Sequence, residues 1–168
     1  FLYITARAVK ARTIVEFGTS FGVSTIYLAA AARDNGGGRV IGSEIEPAKQ
    51  ARAVANLAEA GLGDLAEVRL GDAMQTLRDV AGPVDLVFMD GWKVLYLPLL
   101  RQLQPRLAPG AVLLADNIRS FRSSLTEFLD YLHSGENGFH SVTLGFGDGL
   151  EYAVYFGTGV DDSARASQ

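Results

Sequence analysis

The residues best suited to chemistry follow two apolar segments of the chain. Asp90, in the stretch VFMDGWK, comes directly after one segment, and Asp116 and Asn117, in GAVLLADN, end the other. If these segments are neighbouring parallel strands, the three oxygen side chains meet at one edge of a sheet. Carboxylate and amide oxygens are hard ligands that, with waters or substrate oxygens, complete the octahedron preferred by Mg²⁺. The alternative is that these side chains cap helices and accept backbone N–H bonds.

A lysine lies three residues after Asp90. The chain has only three lysines, Lys10, Lys49 and Lys93, among its 15 basic residues, so a lysine directly after a buried strand is unusual. The simplest interpretation of Lys93 is an exposed residue at a helix start. Its position beside three candidate metal ligands favours a chemical role.

A glycine-containing loop, EFGTSFG, follows the first predicted strand. At such a turn the backbone N–H groups at the helix start point towards a ligand. The dinucleotide fingerprint does not fit, because Gly18 is followed by Thr19 and Ser20 before Gly22. Glu44 ends the second predicted strand, where a carboxylate can accept hydrogen bonds from both hydroxyls of a ribose. The pattern therefore favours a ligand with a nucleoside that carries no phosphate groups. The alternative makes the glycines simple turn residues and Glu44 a solvated strand end.

Asp72 follows the third predicted strand. Its carboxylate could accept a hydrogen bond from the amino group of an adenine, or it could serve only the turn in which it lies.

Short β-branched segments alternate with alanine- and leucine-rich helical ones, which predicts an α/β fold with helices on both faces of a mainly parallel sheet. The pattern predicts one domain over 1–160, a final hairpin and a disordered polar tail over 161–168. Strands are predicted at 13–17, 39–43, 67–70 and 84–89, and helices at 24–32, 47–61, 73–80, 96–107 and 123–133.

Composition narrows the classes of function. The net charge of −4, without a cluster of basic residues, argues against nucleic-acid binding. The chain contains no cysteine, which excludes disulfides and thiolate metal sites and suggests a cytoplasmic protein. No apolar stretch reaches the roughly 18 residues that a membrane span needs. We therefore expect a small-molecule partner.

Five segments occur in the order and spacing of a known family: EFGTSFGVST, GSEIEP, MDGWKVLYLP, GAVLLADN and DGLEYAVYFGTG. They resemble the class I S-adenosylmethionine (SAM)-dependent methyltransferases, and specifically the cation-dependent O-methyltransferases typified by catechol O-methyltransferase. The resemblance implies a Rossmann-like, doubly wound sheet of seven strands in the order 3-2-1-4-5-7-6, with strand seven antiparallel. It also implies that N-terminal helices, which often build a homodimer in this family, are missing from this sequence.

The resemblance further implies a role for each candidate residue. Glu44 would bind the ribose of SAM, and Trp92 would lie against the adenine. Mg²⁺, or another divalent cation such as Mn²⁺ or Ca²⁺, would be held by Asp90, Asp116 and Asn117, and Lys93 takes the position of the catalytic base. The predicted donor site as a whole contains Glu16, Gly18, Thr19, Ser20, Gly22, Ser24, Glu44, Asp72, Ala73, Asp90 and Trp92.

Three departures from the family pattern concern the substrate. Gly91 replaces a histidine beside the metal-binding acid, Ala73-Met74 replaces a polar pair near the adenine, and Val142 falls about where catechol enzymes carry an acid. The implied reaction is methyl transfer to a hydroxyl of a small, aromatic vicinal diol. Two other interpretations stay open: a catalytically silent SAM-binding or scaffold domain, and a nicotinamide-dependent dehydrogenase, which Ser20 in the glycine loop disfavours.

Overall fold

Seven strands form one sheet in the computed structural model, which describes residues 1–157. Their order is β3-β2-β1-β4-β5-β7-β6, and β7 is antiparallel to both of its neighbours. This confirms the predicted fold class and strand order. The predicted tail, 161–168, lies outside the described residues. The strands are β1 (Thr13–Phe17), β2 (Arg39–Glu44), β3 (Ala66–Leu70), β4 (Val84–Met89), β5 (Leu107–Ala115), β6 (Phe139–Leu144) and β7 (Leu150–Tyr155).

Helices cover both faces of the sheet and enclose two clusters of buried apolar side chains. One cluster includes Leu28 and Leu57 from the helices after β1 and β2. The other includes Leu100 and Phe128 from helices of the second half of the chain. Strand β4 lies between β1 and β5 and contributes to both clusters, which explains its continuous apolar sequence. The helices are α1 (Leu2–Ala8), α2 (Val23–Asp34), α3 (Pro47–Glu59), α4 (Ala73–Thr76), α5 (Tyr96–Leu103) and α6 (Thr126–His133).

Two helices, α4 and α5, end four residues earlier than predicted. Helix α5 ends at Leu103, and a 3-10 turn that contains Pro105 leads into β5, because proline has no amide hydrogen for a continuing helix. Helix α4 ends at Thr76 instead of residue 80. The Arg69 guanidinium donates to the carbonyl of this last residue, Thr76, at 2.6 Å.

The carboxyl ends of the parallel strands are held together at one edge of the sheet. The amide of Asp90 donates to the Phe17 carbonyl at 2.8 Å, and the amide of Asp116 donates to the Met89 carbonyl at 3.0 Å. The chain leaves β1 towards β2 on one side and later returns to β4 on the other, so the topology places a crevice at this edge. Within residues 1–157, no helix has the length and apolar character needed to cross a membrane.

Candidate active site

A cleft of about 1000 Å³ opens at the carboxyl ends of the parallel strands. It is formed by the loops that follow β1 to β5, which is the usual ligand position in a doubly wound sheet. Its lining residues are Phe17, Gly18, Ser20, Ser43, Glu44, Ile45, Glu46, Lys49, Gly71, Asp72, Ala73, Asp90, Gly91, Trp92, Lys93, Val94, Leu95, Asn117 and Phe121.

The structure brings most of the predicted site residues to this cleft. Those that line it are Gly18, Ser20, Glu44, Asp72, Ala73, Asp90, Trp92, Lys93 and Asn117. The others, which lie beneath or beside the lining, are Glu16, Thr19, Gly22, Ser24 and Asp116.

The glycine loop packs directly on the end of β4. Gly18 has a φ of +93°, and a Cβ at this position would lie 2.6 Å from the Asp90 carbonyl oxygen. A side chain here would meet backbone that cannot move aside cheaply, so the close approach of the two loops requires glycine.

Glu16 supports the loop from below. Its side chain is fully buried and accepts hydrogen bonds from the hydroxyls of Thr19 at 2.9 Å and Thr25 at 2.5 Å. Burial raises the pKa of its carboxyl group, and the hydroxyl donors oppose that rise. In the structure Glu16 therefore holds the loop and the start of α2, and it does not reach the cleft wall.

Glu44 is held in one orientation by backbone amides. One carboxylate oxygen accepts from the amide of Ser20 at 2.7 Å, and the other accepts from the amide of Glu46 at 2.9 Å. The residue is only 7% exposed yet lines the cleft. Each oxygen has a further lone pair, so the carboxylate can accept two more hydrogen bonds from a ligand.

Two further predicted residues, Asp72 and Trp92, line the cleft. Asp72 is the N-cap of α4 and accepts from the Met74 amide at 2.9 Å, so the turn role considered for it is present. Trp92 has 64% of its surface exposed, which leaves its ring available to a ligand.

Lys93 lies among polar groups in the lining of the cleft. Its Nζ donates to the Tyr96 hydroxyl at 2.6 Å and to Asn117 Oδ1 at 3.1 Å, and lies 3.7 Å from Asp90 Oδ1. Only 9% of the side chain is exposed, so Lys93 is not a solvated residue at a helix start. Burial lowers the pKa of the ammonium group, while the charges of Asp90 and Asp116 act in the opposite direction.

The three predicted metal ligands follow paired strand ends. Met89 and Ala115 are register partners, and the next residues are Asp90 and Asp116. Partial burial raises the pKa of Asp90; the charge of Lys93 opposes this rise, and the charge of Asp116 adds to it. Two carboxylates that repel each other and one amide oxygen match the donors of a hard divalent cation.

A metal site at this edge of the sheet needs the amide oxygen of Asn117 as well as the carboxylates of Asp90 and Asp116. Within residues 1–157, no group of three or more His, Cys, Asp or Glu residues could hold a metal ion. Asn117 Oδ1 already accepts a hydrogen bond from Lys93, but an amide oxygen has two lone pairs and can serve a second partner. The residues present therefore fit a cation bound by two carboxylates and one amide.

Sequence reasoning missed Tyr96. The residue was predicted only as the start of a helix, but its buried hydroxyl contacts Lys93 and donates to the Met89 carbonyl at 2.8 Å. Burial raises the pKa of the hydroxyl well above its usual range, so it stays protonated. The signal in the sequence was the spacing of three residues between Lys93 and Tyr96, which places both side chains on one helical turn.

Known proteins share this sequence pattern. A family model described as a methyltransferase domain matches residues 15–118. Catechol O-methyltransferase of Mycobacterium tuberculosis is 42% identical over 122 residues, which cover 70% of this chain and 53% of that protein. The enzyme of the same name from Sus scrofa is 30% identical over 166 residues, with 87% and 83% covered. The chain belongs to the class I SAM-dependent O-methyltransferase family.

Solved structures of O-methyltransferases share the fold. The O-methyltransferase TomG from Streptomyces achromogenes, in complex with SAM, has a TM-score of 0.84 and 28% identity, covering 93% of this chain and 78% of that one. The chain spans about half the length of the bacterial catechol O-methyltransferases that it matches.

The structure explains the glycine that departs from the family pattern. A Cβ at Gly91 would lie 2.5 Å from the ring of Phe17, a buried residue at the end of β1. The Phe17 ring thus takes the space where a side chain at position 91 would begin. The ring also packs edge-to-face on Tyr96, at 6.2 Å between centroids, so it cannot easily withdraw.

We expect Gly91→Ala to destabilise the protein by about 1–3 kcal/mol, because the added methyl group overpacks Phe17. Denaturant unfolding measures the change. Gly63→Ala is the matched control, since a Cβ there meets its nearest neighbour only at 3.7 Å, and its effect is expected within about 0.5 kcal/mol. Adding Phe17→Leu to Gly91→Ala should recover part of the loss; equal stabilities of wild type and Gly91→Ala would show that Phe17 moves aside freely.

Proposed function

We propose that this protein transfers the methyl group of SAM to a hydroxyl of a small aromatic acceptor that carries two vicinal hydroxyls, with a divalent cation such as Mg²⁺ bound beside the acceptor. The observation that carries the proposal is that residues suited to a donor and residues suited to an acceptor line the same cleft. Glu44 and Ser20 of the glycine loop line it together with Lys93, Asp90 and Asn117. A nucleoside-bearing donor and a hydroxyl acceptor can therefore occupy the same cleft.

Glu44 would select the donor. Its carboxylate is already oriented by the amides of Ser20 and Glu46, so it can accept both ribose hydroxyls without losing side-chain freedom on binding. Trp92 would contact the adenine ring, and Asp72 would accept from its amino group. SAM, when bound, supplies a methyl group on a sulfonium sulfur. The SAM complex of TomG supports this assignment for a chain of the same fold.

Asp90, Asp116 and Asn117 would hold the cation. When bound, a cation at this place neutralises the two carboxylates and stabilises the deprotonated form of an acceptor hydroxyl. The donor chemistry of the three side chains supports Mg²⁺, Mn²⁺ or Ca²⁺ over zinc, which favours histidine and cysteine.

Lys93 would accept the proton of the acceptor hydroxyl. A general base must have an accessible neutral form and lie within hydrogen-bond reach of the proton that it takes. Burial lowers the pKa of Lys93, which favours its neutral form, and the side chain lines the cleft. The proton would then be held at Nζ while the acceptor oxygen attacks the methyl carbon, the bond from that carbon to sulfur breaks, and S-adenosylhomocysteine leaves with an uncharged sulfur.

The test is methyl transfer from labelled SAM to a panel of catechols, hydroxycinnamates and flavonoids, in the presence of Mg²⁺. Acceptors with two adjacent hydroxyls are expected to be methylated, whereas otherwise identical compounds with a single hydroxyl should react far more slowly. Binding of S-adenosylhomocysteine without turnover of any acceptor would favour a silent SAM-binding domain. Binding of NAD would favour a dehydrogenase.

We expect Glu44→Ala to weaken SAM binding by about 1.5–3 kcal/mol for each charge-assisted hydrogen bond lost. Calorimetry with S-adenosylhomocysteine measures the affinity, and thermal unfolding shows whether the variant keeps its fold. Glu59→Ala, which removes an exposed carboxylate at the end of α3, is the control and should bind normally. Unchanged affinity in Glu44→Ala would remove the ribose role from this residue.

We also propose that the protein forms a homodimer and that it is located in the cytoplasm. The likeness to the O-methyltransferase family supports the dimer, and the absence of cysteine supports a reducing compartment. Light scattering on the full-length protein tests the oligomeric state directly.

A further inference from the structure

Both the ring and the hydroxyl of Tyr96 make contacts that fix this side chain near the cleft. It is fully buried at the start of α5, and its ring packs edge-to-face on Phe17 at 6.2 Å and on Phe128 at 5.3 Å between centroids. Its hydroxyl donates to the Met89 carbonyl at 2.8 Å, and the Asp116 carbonyl lies 3.3 Å away. The ring and the hydroxyl are thus tied to the ends of β4 and β5.

In its contact with Lys93, the Tyr96 hydroxyl is the hydrogen-bond acceptor. A protonated lysine has three donors and no acceptor, and the single hydrogen of the tyrosine hydroxyl already points to a backbone carbonyl. The 2.6 Å contact is therefore a hydrogen bond from Nζ to the Tyr96 oxygen. Asn117 Oδ1 accepts a second hydrogen bond from the same nitrogen at 3.1 Å.

We propose that Tyr96 is a positioning residue for methyl transfer, holding the Nζ of Lys93 beside Asn117 in the lining of the cleft. The inference rests on the proposed function of Lys93. Tyr96 and Asn117 occupy two of the three outward directions of the nitrogen, and the third is left for Asp90 and the cleft. Without Tyr96, the flexible four-carbon stem of a lysine would sample other rotamers.

Tyr96→Phe tests the hydrogen bond with little change in packing. The variant keeps the ring between Phe17 and Phe128 and removes only the hydroxyl. We expect kcat to fall roughly 10- to 100-fold, which corresponds to losing one hydrogen bond to a charged group, with the affinity for SAM unchanged. Tyr131→Phe is the matched control, because that hydroxyl donates to Gln104 Oε1 at 2.7 Å, among residues that do not line the cleft, and its kcat should stay at the wild-type value.

A double-mutant cycle separates positioning from general damage. If Tyr96 acts through Lys93, adding Tyr96→Phe to Lys93→Met should lower the residual rate by no more than about twofold, since the group that it positions is already gone. An equal loss in the wild-type and Lys93→Met backgrounds would overturn the proposal. So would a Tyr96→Phe variant with wild-type kcat.

Lysine NMR gives a readout that does not need turnover. The chain has three lysines, so selectively labelled Lys93 can be resolved from Lys10 and Lys49 by substitution. We expect Lys93 to show restricted side-chain motion in wild type and to become mobile in Tyr96→Phe. A Lys93 that is as mobile as Lys10 in wild type, or still restricted in Tyr96→Phe, would overturn the proposal. The NMR result stands even if no acceptor is methylated, so failure of the proposed function is distinguished from failure of this inference.

Discussion

Replacing Lys93 by arginine is expected to lower the rate of methyl transfer by roughly 10²–10⁴-fold, the usual contribution of a positioned general base. Arginine keeps the positive charge but stays protonated near neutral pH, so it cannot accept the proton of an acceptor hydroxyl. Binding of SAM should be nearly unchanged, because Glu44, the proposed ribose ligand, is oriented by the Ser20 amide and takes no part in the hydrogen bonds of Lys93. The measurement is the rate at saturating SAM, Mg²⁺ and a catechol acceptor.

The pH dependence of the same rates gives an independent check. Burial lowers the pKa of Lys93, so its neutral form appears at a lower pH than that of an exposed lysine. Because the neutral form is the base, wild-type turnover should rise with pH and level off above the lowered pKa. Lys93→Arg should lack this rise between neutral pH and about pH 10.

Lys10→Arg is the matched control, since Lys10 is exposed in the turn after α1, and it should keep the wild-type rate and pH profile. Equal rates and equal profiles for wild type and Lys93→Arg would remove Lys93 from proton transfer. A lysine that only provides charge or packing would tolerate arginine in this way.

Removing the cation, or one of its carboxylate ligands, is expected to stop methyl transfer while SAM still binds. The Asp116 carboxylate accepts a hydrogen bond from the backbone amide of Asn117 at 2.8 Å. Asp116→Asn keeps an oxygen for this hydrogen bond but removes one of the two negative charges. The rate of methyl transfer should fall by more than the roughly 10–100-fold that follows when a residue that only hydrogen-bonds to a metal ligand is removed. Turnover as a function of Mg²⁺ concentration, with calorimetry for SAM, measures both effects.

Asp64→Asn serves as the control, because Asp64 is exposed in a 3-10 turn before β3 and away from the cleft. Wild-type protein treated with a chelator should lose activity and regain it with Mg²⁺ or Mn²⁺. Full activity after chelation would show that the three oxygen side chains have no metal role in this reaction.

Much of the fold followed from local sequence patterns. The continuous apolar run over Val84–Met89 predicted the central strand β4 with correct bounds, because a strand buried on both faces needs apolar side chains at every position. The alternation of strands and helices predicted the α/β class. The order of all seven strands came only from the resemblance to known methyltransferases, since spacing alone does not say which strands pair.

The sequence also placed Asp90, Glu44 and Asn117 at strand ends, and parallel strands carry such ends to a common edge. It therefore determined which loops form the cleft and which oxygen side chains are close to it. This part of the site is predictable because the strand order converts positions along the chain into positions along the sheet edge.

Only the tertiary structure decided which side chains face the cleft and which support it. Glu16 turned out to be fully buried beneath the glycine loop, and Phe17 fills the space beside Gly91. Tyr96 became the partner of Lys93 because Phe17 and Phe128 hold its ring from two distant parts of the chain. Such arrangements depend on contacts between residues far apart in sequence, and local periodicity carries no information about those contacts.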